Sequence, residues 1–301
     1  MELHWLEDFI ALAEYESFSR AAKHRNVTQP AFSRRIRSLE DWLGVELFVR
    51  TSQGATLTTA GREVLNSAQD LVRRLYQFRI EANEVAGKEL RLLRFAATYS
   101  LSFMFFPRWV RSLDSKAPFE SMRLTTDSMK TCEQMLIHGD ANFLLCHSHP
   151  DVPTYLPEDQ FIYKVIGHDY LIPVIGSTVC FGTDLFKKSS IPFLKFSEDS
   201  ALGRILDSKI LKTTHTPNLD VAFESHLSPV LLSMVIENKG VAWLPKSIAD
   251  GDINNGTLIR AFGEEFDISL EIRLYRPTCN MGYFVENFWE SIYEEKSKEP
   301  K

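Results

Sequence analysis

The chain has 301 residues, 44% of them hydrophobic and 25% charged, with a formal net charge of -6. That length and balance suit a soluble globular protein of roughly two domains. No apolar run approaches the roughly 18 residues of a membrane-spanning helix, and the opening carries Glu2, Glu7, Asp8, Glu14 and Glu16 where a secretory leader would be basic, so the expected location is the cytoplasm, without a membrane partner. Cys132, Cys146, Cys180 and Cys279 are scattered with no C-x-x-C pair, which argues against a disulfide framework or a zinc module and for buried free thiols. No cofactor is expected.

Leu6, Phe9, Ile10 and Ala13 recur at helical spacing, as do Phe18, Ala21 and Ala22, which predicts helices over residues 4–15 and 18–25. Asn26 ends the second. Thr28 is a suitable N-cap for a third helix, Pro30 suits its first turn, Phe32, Ile36, Leu39 and Leu43 form its inward stripe, and Gly44 closes it. The β-prone runs 47–50 and 55–58, separated by Thr51-Ser52-Gln53-Gly54, read as a hairpin, a wing beside the helices. From Thr59 a long helix begins, in which Val64, Ala68, Leu71, Leu75, Phe78 and Ala82 alternate steps of four and three. Its neighbours Arg73, Arg74 and Gln77 are polar, so the stripe is narrow and favours a coiled-coil-like contact with a second copy. Gly87, Lys88 and Glu89 mark a hinge.

Beyond the hinge, residues 90–97, 123–127, 142–147, 169–175, 241–244 and 268–275 are strand-like, with amphipathic stretches between several of them. This alternation predicts an α/β fold with a largely parallel sheet, in which the run 161–174 crosses over and the run 230–243 begins a return. The charged tail, residues 294–301, is expected to fray. The predicted division is 1–58, 59–88 and 89–301.

The net negative charge is unevenly distributed. Residues 17–39 hold Arg20, Lys23, Arg25, Arg34, Arg35 and Arg37 and no Asp or Glu, a local electrostatic footprint for nucleic acid. On the third helix Gln29, Pro30, Ser33, Arg34 and Arg37 share the face opposite Phe32, Ile36 and Leu39. Gln reads the adenine edge and Arg the guanine edge, while Thr28 and Ser33 can donate to phosphates. Arg50, at the wing, suits the minor groove or its flanking phosphates. Two short helices with this basic second member form a helix-turn-helix reader of double-stranded DNA.

The chain resembles the LysR-type transcriptional regulators. The likeness rests on Leu6-Glu7-Asp8-Phe9, on the run from Ser17 to Ala22, on the run from Val27 to Glu40, on the run from Leu43 to Arg50, and on Leu57-Thr58-Thr59-Ala60-Gly61. Later, Asn238-Lys239-Gly240-Val241-Ala242-Trp243-Leu244-Pro245 is similar to a glycine-to-proline signature of the same family. The resemblance implies a winged helix-turn-helix, a dimerising linker helix and an effector domain like the periplasmic binding proteins, with two α/β subdomains around a small-molecule cleft. It also implies assembly as a homodimer or homotetramer, control of transcription through promoter DNA, and RNA polymerase as a candidate contact.

Thr98-Tyr99-Ser100-Leu101-Ser102 follows the first strand of the second domain, where free helix N–H groups and the hydroxyls of Ser100 and Ser102 suit an anion. Ser128, His147, Ser200, Arg204 and His226 fall where this family lines its cleft, with Arg204 a candidate carboxylate ligand, so the expected effector is a small carboxylate or amino acid. His147-Ser148-His149 beside Cys146 lacks further ligands for a metal. The alternative is an oxidant sensor using a thiol or a methionine. Ser100-Leu101-Ser102 and Gly203-Arg204-Ile205-Leu206 resemble the hypochlorite-responsive branch of the family, but Leu202 stands where that branch has a methionine, leaving Met104, Met122, Met129 and Met135 as candidates. A DNA-tethered enzyme is a third possibility, but no nucleophile, base and orienting group, phosphate loop or metal motif supports it, so no catalysis is expected.

Overall fold

The computed structural model describes residues 1–51, 54–86, 92–113, 121–178, 190–210 and 218–292. The predicted hinge at 87–89, the turn residues 52 and 53, Cys180 and the tail therefore lie outside the described residues. The chain divides into an N-terminal unit, Met1–Glu89 with Ile137–Gly139, and a C-terminal unit, Leu90–Leu136 with Asp140–Lys301.

In the N-terminal unit α1 (Leu3–Tyr15), α2 (Phe18–His24) and α3 (Gln29–Leu43) are followed by the antiparallel hairpin β1 (Phe48–Thr51) and β2 (Gly54–Leu57), then by α4 (Thr59–Val85). Phe9 and Leu12 of α1, Ala21 and Ala22 of α2, and Phe32, Ile36 and Leu39 of α3 are almost fully buried together. The Ser17 hydroxyl accepts the Arg20 N–H at the start of α2, and Gly44 closes α3 in the left-handed conformation. Gly54 is required where it stands, because a Cβ there would lie 2.1 Å from the Glu16 carbonyl oxygen, which accepts the Ala55 N–H and pins the wing to the end of α1.

Two expectations are corrected in this unit. Leu43 is 39% exposed and leaves the inward stripe of α3, while Leu47, fully buried at the entry to the wing, fills the core beside it. The seam of α4 is also split. Ala68 and Val72 are buried against the first three helices with Val64, Leu65 and Tyr76 beside them, whereas Leu71, Leu75 and Phe78 are 46%, 45% and 70% exposed. One face of α4 thus completes its own core and another is left uncovered.

The C-terminal unit runs β3 (Leu93–Thr98), α5 (Tyr99–Met104), α6 (Phe106–Leu113), β4 (Met122–Asp127), α7 (Met129–His138) and β5 (Phe143–Ser148). It continues through β6 (Phe161–Gly176), β7 (Ile191–Phe196), α8 (Ala201–Lys209), β8 (Leu219–Ser225), α9 (Ser228–Ile236) and β9 (Ala242–Pro245). It ends with α10 (Lys246–Asn254), β10 (Leu258–Arg260), β11 (Ile268–Pro277) and α11 (Tyr283–Ser291). The main sheet has the order β10-β6-β11-β5-β3-β4, with β9 also paired to β6, and β7 and β8 form a separate parallel pair.

This sheet is mixed, which corrects the largely parallel expectation. β3 is parallel to β4 and β5, but β11 is antiparallel to both β5 and β6, and β6 is antiparallel to β9 and β10. The run 161–174 is no crossover. It belongs to one 16-residue strand, β6, which with β11 contributes to two separate apolar cores. Phe95, Trp109, Phe143 and Phe288 centre the first core, and Phe193, Phe196, Trp243 and Leu244 the second, so the unit is two α/β lobes hinged on two shared strands. Among the described residues no helix is long and apolar enough to cross a membrane.

Candidate nucleic-acid interface and effector cleft

α3 presents Thr28, Gln29, Pro30, Arg34 and Arg37 to solvent, with Ser33 half-buried and its hydroxyl 3.2 Å from the Gln29 amide nitrogen. The apolar stripe of α3 turns the other way into the core, so packing on α1 fixes which side chains can reach a base edge. Arg35 is not among them, because its guanidinium points back to the buried Asp8 at 3.4 Å. Glu40 of α3 accepts the Leu47 and Phe48 N–H groups at 2.8 and 3.2 Å and so anchors the start of the wing. The exposed Arg50 guanidinium lies 4.5 Å from the Phe18 ring centre, a cation–π contact that holds it beside the groove it lines with Ser33 and Arg37. One exposed surface therefore carries Gln29, Ser33, Arg34, Arg37 and Arg50, with spare donors for phosphates and base edges.

In the C-terminal unit a cleft opens between the two lobes. From the first lobe it is lined by Thr98, Ser100, Asp127, Ser128, Met129 and His147. From the second come Ser200, Ala201, Leu202 and His226, and the Ser100 and Ser228 hydroxyls meet across the lobes at 2.9 Å. The first residues of α7 and α8 sit at this cleft, so the positive ends of two helix dipoles face it. Ser200 spends its own hydroxyl on the Gly203 N–H at 2.9 Å, and the Asp127 carboxylate accepts the Ser128 N–H at 2.7 Å.

Two buried polar atoms of the lining have no hydrogen-bond partner, His147 Nε2 and Thr98 Oγ1. His147 is 2% exposed, and its Nε2 faces Asp169 Oδ2 across 3.7 Å, too long for a hydrogen bond. The space in this partly open cleft that can take the centre of a water is about 20 Å³, enough for a water-sized species.

Burial pushes the Asp169 carboxyl up, but the facing His147 ring, the Ser247 hydroxyl at 2.6 Å and the Tyr170 N–H at 2.8 Å outweigh it and hold the carboxyl below its ordinary value. A carboxyl depressed on folding contributes stability above its unfolded value of about 3.9, and that contribution disappears as pH falls through the folded value. Asp169→Asn is therefore expected to flatten the acid side of the stability profile below about pH 4, read by urea midpoints across pH. An unchanged profile would mean that Asp169 is not held low.

Two predicted residues stand apart from the cleft. The Ser102 hydroxyl donates to the Tyr99 carbonyl at 2.9 Å within its own helix, and Ser102 does not line the cleft. The Arg204 guanidinium is engaged bidentately by the buried Glu133 of α7 at 3.0 and 3.1 Å and stacks over Tyr155 at 4.3 Å, so the effector carboxylate expected there meets an already neutralised group. That pair instead ties α8 of one lobe to α7 of the other. His149 accepts the Asp151 N–H at 3.1 Å, and among the described residues no cluster of three or more His, Cys, Asp or Glu could hold a metal. The sequence pattern did not single out Asp127, Asp169 or Ser228, and it pointed to the run from Thr98 to Ser102 without assigning the Thr98 hydroxyl a role. Asp127 and Ser228 each adjoin a helix start after a strand, which is the signal that could have found them.

Residues 3–62 match the family described as bacterial regulatory helix-turn-helix protein, lysR family, and residues 86–296 match the LysR substrate binding domain. The chain belongs to the LysR family. As a LysR-family member it is a DNA-binding transcriptional regulator with an effector-binding domain. It is similar to the LysR family transcriptional regulator VV2_1132, with 31% identity over 97% of this chain and 99% of that one and a TM-score of 0.58. It is also similar to Vibrio fischeri DarR solved in complex with DNA, at 26% identity, 97% and 98% coverage and a TM-score of 0.54. Full-length HypT from Salmonella typhimurium, a hypochlorite-specific LysR-type regulator, is 28% identical over 97% of both chains with a TM-score of 0.56.

Proposed function

We propose that this LysR-family regulator works in the cytoplasm, binds promoter DNA as a dimer of dimers, and responds to a small anionic effector, a carboxylate or amino acid, held between its two C-terminal lobes. In this reading α3 enters the major groove, where Gln29, Arg34 and Arg37 address bases and Thr28, Pro30 and Ser33 lie against the backbone. Arg50 takes the minor groove or its flanking phosphates, and RNA polymerase is met at the promoter. The protein acts by binding and not by catalysis.

The observation that carries the effector reading is the pair of buried atoms without a hydrogen bond, Thr98 Oγ1 and His147 Nε2, the latter facing Asp169 at 3.7 Å, in a cleft entered by the starts of α7 and α8. Such atoms cost free energy unless a ligand or water satisfies them. Ser100, Ser128, Ser200 and His226 stand around the same space. A ligand that prefers one spacing of the lobes shifts the protein toward that spacing, which is how occupancy is converted into a change at the DNA.

Melting curves of the full chain against small carboxylates and amino acids test this. A ligand at about 100 times its Kd adds roughly 2.7 kcal/mol and raises Tm, and His147→Ala is expected to remove that rise. A panel that leaves Tm unmoved throughout would sink the effector reading. The second copy is expected on the uncovered face of α4, so Leu75→Asp with Phe78→Asp should give monomers in sedimentation; an unchanged assembly would place the interface elsewhere.

A second reading is oxidant sensing. Burial pushes the Cys132 thiol up to about 12 and the fully buried Cys146 thiol higher still, so neither supplies a reactive thiolate. Met129, whose thioether needs no ionisation to react, is 2% exposed and lines the same cleft as Leu202, and the similar HypT is hypochlorite-specific. Hypochlorous acid would transfer its oxygen to the Met129 thioether, giving the sulfoxide and releasing chloride and a proton. Peptide mass spectrometry after about one equivalent of hypochlorite, with operator binding measured before and after, decides this reading. It fails if Met129 stays unoxidised or if Met129→Leu responds like the parent.

A further inference from the structure

The N-terminal unit contains a connected polar chain that touches all four of its helices. Asp8 of α1 is fully buried, an unusual place for a carboxylate, and it accepts from Arg25 Nε of α2 at 2.9 Å and from Arg35 Nη1 of α3 at 3.4 Å. The neighbouring Glu7 pairs with the same Arg25, and its second oxygen accepts from the Tyr76 hydroxyl of α4 at 2.5 Å. Two carboxylates and two guanidinium groups therefore balance, with a phenol at one end and the DNA-facing helix at the other.

The ends of the chain give it meaning. Arg35 sits between Arg34 and Arg37, so any displacement of Arg35 carries the exposed face of α3 with it. Tyr76 packs inward from α4, while Leu75 and Phe78, on the same turns, face outward uncovered. A force on the outer face of α4 thus meets Tyr76 on the inner one. We propose that Tyr76 is a positioning residue for DNA recognition, which sets the pose of α3 through Glu7, Arg25, Asp8 and Arg35. The inference rests only on α3 reading DNA, and it adds a residue that touches neither DNA nor effector.

The test is a double-mutant cycle on the full chain, using a duplex selected by the parent protein from a random library and a random duplex of equal length. Tyr76→Phe keeps the ring and its packing. It is expected to weaken binding of the selected duplex about tenfold while changing the random duplex by less than about twofold, consistent with loss of one charge-assisted hydrogen bond. Arg35→Lys should act in the same direction, and the double variant should be no weaker than the weaker single, because both break one chain. Glu7→Gln, which removes the charge that Tyr76 and Arg25 both address, is a second entry to the cycle should Tyr76→Phe fold poorly. Parent-like discrimination by a folded Tyr76→Phe or Glu7→Gln, or effects that multiply in the double variant, would overturn the proposal. A purely structural role would lower the melting temperature and leave the ratio of the two affinities unmoved.

Discussion

Replacing Gln29 and Arg34 together with Ala is expected to lower affinity for the selected duplex about 30- to 25,000-fold while leaving the fold and the assembly intact. The size follows from two base-edge contacts at about 1–3 kcal/mol each, and the harmlessness from exposure, since both side chains stand on the face of α3 opposite its buried stripe. Binding to random DNA, which depends on phosphate neutralisation, should fall much less. Arg35→Ala is the informative contrast, because that guanidinium is turned back to Asp8 and touches no base; its loss should weaken the selected duplex only about tenfold, through the pose of α3. Full affinity in the Gln29/Arg34 double variant, measured by fluorescence anisotropy at fixed salt, would contradict the assignment of this face.

Asp8→Ala should destabilise the N-terminal unit by about 3 kcal/mol, the lower end of the 3–5 kcal/mol seen when one partner of a buried ion pair is removed. The lower end applies because Arg25 and Arg35 keep about a quarter to a third of their side-chain surface in water. Burial alone would lower the tendency of Arg25 to stay charged, yet the Asp8 and Glu7 carboxylates more than offset it and raise its pKa. Losing Asp8 therefore leaves Arg35 without its carboxylate and Arg25 with Glu7 alone. Calorimetry should show the transition of the helical unit moving down by roughly 10 °C or more, while the transition of the effector-binding unit stays in place. A shift of both transitions, or of neither, would refute the local role.

The helix-turn-helix was legible because its signals are local. The caps, Gly44 and the spacing of Phe32, Ile36 and Leu39 lie within one short stretch, and one helix face decides which residues pack and which read. The same locality misled at α4, where a single heptad pattern merged a stripe that packs on α1 with another that remains exposed. It misled again at residues 161–176, whose aromatic and β-branched run belongs to one long strand shared by two cores. β7 and β8 escaped the sequence reading, and in the structure they pair with each other in a separate parallel sheet. Arg204 looked like a ligand in isolation. It became a strut between lobes only when Glu133, from a distant helix, was folded against it.

What the amino-acid sequence determined by itself was the family, the exposed basic face of α3 and the presence of a second α/β domain, since these depend on patterns within a few helical turns or a single motif. What only the tertiary structure decided was which charges are free. Arg34 and Arg37 are exposed while Arg35 is tied, His147 is buried at a cleft with its Nε2 facing Asp169 and making no hydrogen bond, and Asp8 is held by two guanidinium groups from other helices. The physical reason is that whether a charge or polar atom is satisfied depends on partners brought from far along the chain, and sequence spacing carries no record of them.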